Sequence, residues 1–380
     1  MMSCRGALIA GAVLGSLVAS AAAAEDAFKI GASLGLTGYA AATDRAWRDG
    51  LQIAVDSLNA QGGLLGRKIE LVVEDNRSEP QEAVVGYKKM ISNDVVQIFD
   101  SGCVSAGNFA AASSVVRAKL PMFLCSILPQ RPEEQKWAFS FLAPPRFELE
   151  ARYRYLKEKT DIRKIGILHD PTPYALMMKD LGTKLAADFG MEVVATESYK
   201  QDDADVSVQL GRMNAGGAGA VIKMGQGGST VTTAKNIKQL GLDKMLLLAS
   251  TDDGAIFKQA GEVLGQRFLF VGPAVQIPGS APPGPARDAV DAFLKLWDAK
   301  YPGRDPASGA RAFDSMMVAA KAIAIAKSAD GTAIRDGTEK VPSYQGAFAA
   351  FNFSPDQHVG ITENPFLVGY LADGKFAVMK

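Results

Sequence analysis

Three sets of residues in this chain have types and spacings that could do chemistry. Gly31-Ala32-Ser33-Leu34-Gly35 fits G-x-S-x-G, the pattern of a serine nucleophile held on a sharp strand-to-helix turn. Its only possible bases are the two histidines, His169 and His358. Ser33, however, lies inside the apolar run Phe28–Leu34 with β-branched Ile30, which reads as a buried strand. The loop begins only at Thr37-Gly38, so a chance match is preferred to a serine hydrolase. SGCVSAG (101–107) joins a predicted strand to a predicted helix. Its N–H groups and the Ser105 hydroxyl could hold an anionic oxygen, helped by the helix dipole. Ser105 also fits a simple helix N-cap. Finally, GQGGS (225–229) is glycine-rich but lacks the lysine and spacing of a phosphate-binding loop. No G-x-G-x-x-G follows a strand and opens a helix, and the histidines and cysteines have no metal-ligand spacing. The expectation is a non-enzyme with no catalytic residue, no cofactor and no metal.

These loops need elements to position them. Trp47, Leu51, Ile53, Ala54, Val55 and Leu58 recur near helical spacing, so 45–59 should lay an apolar stripe on the first strand. Gly62 and Gly63 stop that helix, and Ile69, Leu71 and Val73 alternate into a second strand. A strand–helix–strand unit of this size builds a parallel sheet. The alternation continues, with helices expected over 82–93, 106–118, 148–159, 175–189, 206–214 and 230–240. Strands are expected over 95–101, 121–126, 164–170, 192–199, 218–224 and 245–250. Two α/β lobes follow, each a doubly wound parallel sheet, meeting near Ala143. PGSAPPGP (278–285) is the most loop-like tract, with helices expected after it over 286–300 and 310–327. Segments 346–354 and 364–380 read together as a β-ribbon turning at Asp373-Gly374.

Arg5, an apolar run over 7–18 and Ala22-Ala23-Ala24 before Glu25 have the order of a cleaved secretory signal, residues 1–24. Cys4 precedes the apolar run, so it is not the lipidated cysteine of a lipoprotein signal. The whole chain has 41 basic and 41 acidic side chains, and the signal removes only Arg5 from that balance. Near-neutrality argues against nucleic acid as a partner, which needs a concentrated basic surface. No later run approaches the roughly 20 apolar residues of a spanning helix. Cys103 and Cys125 each follow an apolar strand. A bridge between them and two separate buried thiols are equally open.

The wording of the opening unit is itself distinctive. A first strand ending in LTG (36–38) is followed by DGLQIAVDSLNAQGGLLGRKIELVVEDNRSEP (49–80), with its N-A-x-G-G helix end, LGR-x-I-E-L strand and acidic pair. This resembles type I periplasmic solute-binding proteins, the branched-chain amino acid receptor group of ABC transporters. The resemblance extends over most of the chain after the signal. It implies a three-crossing hinge between lobe 1 (25–143 plus 275–354) and lobe 2 (144–274 plus 355–380), with the final ribbon in lobe 2. It also implies closure around a ligand. Relatives often bridge the first of the two strand-end cysteines to one after Asp75. Segment 76–81 contains no cysteine, so that bridge cannot form here.

Site residues carry over position by position. Ser105, with Ala106 beside it, matches the serine loop that binds the ligand carboxylate. CSILPQ (125–130) stands where relatives have S-P-A-A-T. Ser126 is kept, but Leu128 replaces the first alanine and Gln130 the threonine that helps hold the ammonium and carboxylate. Leu128 reads equally as a ligand wall or a core residue. Tyr174 matches the D-x-x-x-Y tyrosine of the second lobe. Thr251 falls on the position of the acidic ammonium ligand, and Asp252, one place later, is its candidate substitute. Thr43 falls on a wall position, with Gln226 opening the loop opposite. Arg146, near the first crossing, reads either as a partner for a second ligand carboxylate or as a surface residue.

The resemblance therefore implies a monomeric receptor in the periplasm. It would capture a small organic solute and deliver it to an ABC permease of the inner membrane. The altered ammonium loop tilts the expectation towards a carboxylate such as an aromatic acid. A branched-chain or other amino acid is the alternative. A periplasmic sensor serving a separate membrane kinase stays open.

Overall fold

The computed structural model describes Met1 and residues 27–129 and 131–379. Apart from Met1, the segment 1–24 expected to be a signal lies outside the described residues, as does Gln130. Strand β1 (Phe28–Leu34), helix α1 (Ala41–Ala60) and strand β2 (Ile69–Asp75) form the opening unit, with β2 parallel to β1. Gly62 and Gly63 turn the chain between them at φ +105° and +76°, where a side chain would be strained. Helix α2 (Pro80–Lys89), β3 (Ile98–Ser101), α3 (Ser105–Arg117), β4 (Met122–Leu124), the short α4 (Pro132–Gln135) and β5 (Ala138–Ser140) complete the first lobe's sheet. Its strand order is β2-β1-β3-β4-β5, parallel throughout.

Helix α5 (Pro145–Lys159) opens the second lobe. There follow β6 (Lys164–His169), α6 (Pro173–Ala186), β7 (Glu192–Ser198), α7 (Ser207–Ala215) and β8 (Ala220–Met224). Then come α8 (Ser229–Gln239), β9 (Leu246–Ala249), α9 (Gly254–Leu264) and β10 (Phe268–Pro273). The chain returns to the first lobe through α10 (Pro285–Lys300), α11 (Ala307–Ala326), α12 (Gly331–Thr338) and the hairpin β11 (Tyr344–Gln345) and β12 (Ala350–Phe351). It ends in β13 (Phe366–Ala372) and β14 (Lys375–Val378). The second sheet runs β14-β13-β10-β9-β8-β6-β7, antiparallel only where β13 and β14 join its edge. The passages after β5, β10 and β12 are the three crossings of a hinge between two doubly wound lobes, as expected.

Several details differ from the sequence reading. The strand expected over 95–101 starts only at Ile98, because Met90–Asp94 widens into a π-turn and Val95 leaves it at φ 52°. Segment 346–354 does not belong to the terminal ribbon: β12 pairs with β11, while β13 and β14 turn at Asp373-Gly374 with φ 47° and 75°. No element was expected where α4, β5, α9, β10 and α12 lie.

Both faces of each sheet are covered, which is why most strands read as continuous apolar runs and not as alternating ones. Trp47, Phe123, Phe139, Phe141 and Trp297 pack in the first lobe. Phe257, Phe268 and Met213 fill one face of the second sheet, and Leu149, Tyr153 and Met178 the other. Helices α1 and α11 meet backbone to backbone, since a Cβ on Gly50 would lie 2.0 Å from the Gly309 carbonyl oxygen. Among the described residues no helix is long and apolar enough to cross a membrane.

Candidate functional site

The ends of the strands in the two lobes face one another, and polar loops fill the space between them. On the first lobe, β3 ends at Ser101 and α3 starts at Ser105. Asp44 on α1 fixes the loop between them by accepting from Cys103 N at 2.8 Å and Gly35 N at 2.7 Å. Burial pushes its carboxyl up to about 6 against those two hydrogen bonds. Gly102 is required there, because a Cβ would lie 2.5 Å from the Asp44 carboxylate.

Asn108 then ties this loop to the one after β4, donating to the Gly102 carbonyl and to Ser126 Oγ, both at 2.9 Å. Ser126 Oγ lies 3.2 Å from Ser105 Oγ. Cys103 and Cys125 are joined in a disulfide, Cα to Cα 4.7 Å, which settles the open alternative in favour of the bridge. No side chain caps α3, so its first turn keeps N–H donors for an anion.

The second lobe presents a buried polar hub. Glu148 on α5 accepts from Thr251 N at 3.1 Å, from Thr251 Oγ1 at 3.0 Å and from the Tyr174 hydroxyl. Arg152, one turn along, lies 3.7 Å from Glu148, and both side chains are 1% exposed. Burial and the Glu148 charge hold the Tyr174 hydroxyl well above the ordinary phenol range. Asp170, just past β6, accepts from Thr172 N at 2.9 Å and from Gln201 at 2.7 Å. Asp252 accepts from Gly227 N at 2.6 Å and Asp253 N at 2.8 Å, and burial pushes it up to about 6. Lys223 on β8 faces both aspartates. Burial pulls it down to about 8, while their charges oppose the shift.

Between the lobes lies a cavity of about 20 Å³, room for about one water. Tyr39, Cys103, Ser105, Cys125 and Leu142 line it from the first lobe. Asp170, Thr172, Tyr174, Gln201, Gly225 and Gln226 line it from the second.

Of the residues expected at a site, Ser105, Tyr174 and Gln226 lie on this cavity. Ala106 is half-buried in the first turn of α3, and Ser126 touches the cavity only through Ser105. Thr251 and Asp252 sit behind it, their polar atoms engaged with Glu148 and with Gly227 and Asp253. Thr43 turns its hydroxyl back to the Ala40 carbonyl and Leu128 packs into the first lobe's core, so neither reaches the cavity. Arg146 is an exposed surface residue paired with Glu150.

Sequence reasoning missed Tyr39, Glu148, Asp170 and Gln201. Asp170 is the aspartate of the same D-x-x-x-Y stretch that pointed to Tyr174, so its signal was present. Ser33 is the last but one residue of β1, still inside the strand, where Asn76 donates to its hydroxyl at 3.0 Å. His169 bonds the Asp170 carbonyl and His358 bonds Gln135 and Glu339, and neither bonds Ser33.

Comparison with known proteins places this geometry in context. A family model described as periplasmic binding protein matches residues 27–375. A Leu/Ile/Val-binding protein homolog 2 of Brucella abortus is 23% identical over 262 residues, covering 68% of this chain and 69% of that protein. A Leu/Ile/Val-binding protein homolog 7 of Brucella suis is 23% identical over 359 residues, covering 90% and 88%. The crystal structure of the branched-chain amino acid transporter substrate binding protein LivJ of Streptococcus pneumoniae, in complex with isoleucine, shares the fold. Its TM-score is 0.79 at 22% identity, over 93% of this chain and 99% of that one.

Proposed function

This chain belongs to the periplasmic binding protein family, and from that premise we propose that it is the receptor of an ABC importer for an amino acid. It works in the periplasm after removal of segment 1–24, closes its lobes on the ligand, and hands it to a permease of the inner membrane. It performs no turnover. The ligand carboxylate meets Ser105 and the uncapped first turn of α3. The ammonium turns towards Asp170, with Tyr174 and Gln226 alongside.

The observation that carries this reading is that Asp170 and Ser105 line one small cavity from opposite lobes. An anion-binding helix end facing a carboxylate suits a zwitterion. The aromatic-acid reading is weakened, because Leu128 packs into the first lobe's core and is not on the cavity between the lobes. The relatives named for Leu/Ile/Val binding add weight on the amino acid side. With so little room between the lobes, ligand entry requires them to part about the three crossings. One chain supplies both walls, so a monomer is sufficient.

Calorimetric titration of each L-amino acid that binds, against its des-amino analogue, tests the assignment. The amino acid is expected to bind at least about 100-fold tighter, because its analogue forgoes the charge-assisted hydrogen bond from the ammonium to Asp170. Equal binding of L-leucine and 4-methylpentanoate, or binding of benzoate without any amino acid, would assign the site to simple carboxylic acids.

A further inference from the structure

Arg311, on α11 in the first lobe, has no role in the site described so far. Its residue is 6% exposed, and its guanidinium lies 4.0 Å over the Phe348 ring. Nε is buried without a hydrogen-bond partner. The single acceptor Nη1 has is Cys125 Sγ at 3.1 Å, a sulfur already committed to the disulfide and therefore a weak acceptor. A guanidinium carries five donors, and buried cations are ordinarily paired with an anion. Among the described residues Arg311 has no ion-pair partner.

The acids around it are engaged elsewhere. Asp314, on the same helix, takes up the N–H groups of Ala347 and Phe348. Glu148, facing it from the second lobe, is held by Arg152, Tyr174 and Thr251. Arg311 touches the back of Cys125, whose bridge to Cys103 lines the cavity beside Ser105 and Tyr174.

We propose that Arg311 is a specificity-determining residue that anchors the ligand's carboxylate at the disulfide end of the cavity, the anion completing an otherwise unpaired buried guanidinium. The inference rests on the receptor reading above and deepens it: the ligand must carry a free acid group, and neutralising that group removes the main attraction of the first lobe. The planar fork of arginine matches a carboxylate with two parallel hydrogen bonds, which a lysine cannot reproduce. Burial pulls the Arg311 pKa down to about 10, so the group stays charged at neutral pH.

The test compares acids with their amides in the purified protein: L-leucine with L-leucinamide, L-glutamate with its α-amide, and benzoate with benzamide. Wild type is expected to bind at least one acid about 30-fold or more tighter than its amide. Arg311→Met, close in volume and free of the unpaired charge, is expected to fold and to cut that preference about tenfold or more, to what Ser105 and the first turn of α3 supply, while leaving amide binding within a few fold. Should Arg311→Met fail to fold, Arg311→Lys serves, with the preference reduced several-fold because the fork is lost. An acid preference undiminished in the folded variant overturns the anchor alone. Binding of amides but no acids, or of none of the six probes, overturns it together with the carboxylate reading beneath it.

Discussion

Glu148→Ala is expected to destabilise the protein by about 3–5 kcal/mol, the cost of breaking a buried ion pair from one side. The loss has three sources. Arg152 would remain buried with no counter-charge, and one of its Nη atoms already lacks a hydrogen-bond partner. The Thr251 N–H and hydroxyl would lose their acceptor 103 residues away in sequence. The Tyr174 hydroxyl would be left without the partner that aims the ring at the cavity. Urea unfolding measures the effect as a fall in midpoint at unchanged slope. Replacing the pair together, as Glu148→Gln with Arg152→Met, is expected to cost less than Glu148→Ala, since no naked charge remains. A loss below about 1 kcal/mol for Glu148→Ala would mean that Glu148 does not organise the second lobe's wall.

Reduction of the Cys103–Cys125 bridge is the second large effect. The bridge spans a separation of 22 residues, and closing a loop of that size in the unfolded chain contributes about 3 kcal/mol. It also ties the loop carrying Ser105 to the loop carrying Ser126, whose hydroxyls lie 3.2 Å apart. The double variant Cys103→Ser, Cys125→Ser is therefore expected to unfold about 3 kcal/mol more easily. It should also bind ligand more weakly than wild type, mainly through faster release. Wild type in dithiothreitol should behave like the variant. An unfolding midpoint indifferent to both treatments would remove the bridge from the account of stability.

How much of this was legible in the sequence depends on how far apart the interacting residues lie. The β1–α1–β2 unit was readable because its determinants are local: a helical apolar stripe, two glycines and an alternating strand within 48 residues, Phe28 to Asp75. The place of Ser105 at the start of α3 was readable for the same reason, since the end of β3 and the start of α3 are four residues apart. Leu128 was not, because a loop has no periodicity to say which way a side chain points. Glu148 looked like an ordinary first-turn acid of α5, and only its contact with the end of β9 makes it a hub. Arg311 was hidden still more deeply, as its neighbour Cys125 is 186 residues earlier. The faint signal it left was a charge in a mostly apolar helix, a position where arginine is costly without a partner.

The central claim, a receptor that closes on an amino acid, is tested most directly by the unfolding temperature of the purified protein. The panel would be the L-amino acids together with benzoate, phenylacetate and succinate. A ligand present at 100 times its dissociation constant adds about 2.7 kcal/mol, which for a chain of this size raises the midpoint by about 4 °C. The account predicts such a rise with at least one L-amino acid, the aliphatic ones first, and none with the simple acids. A rise with benzoate, phenylacetate or succinate and none with any amino acid would contradict it.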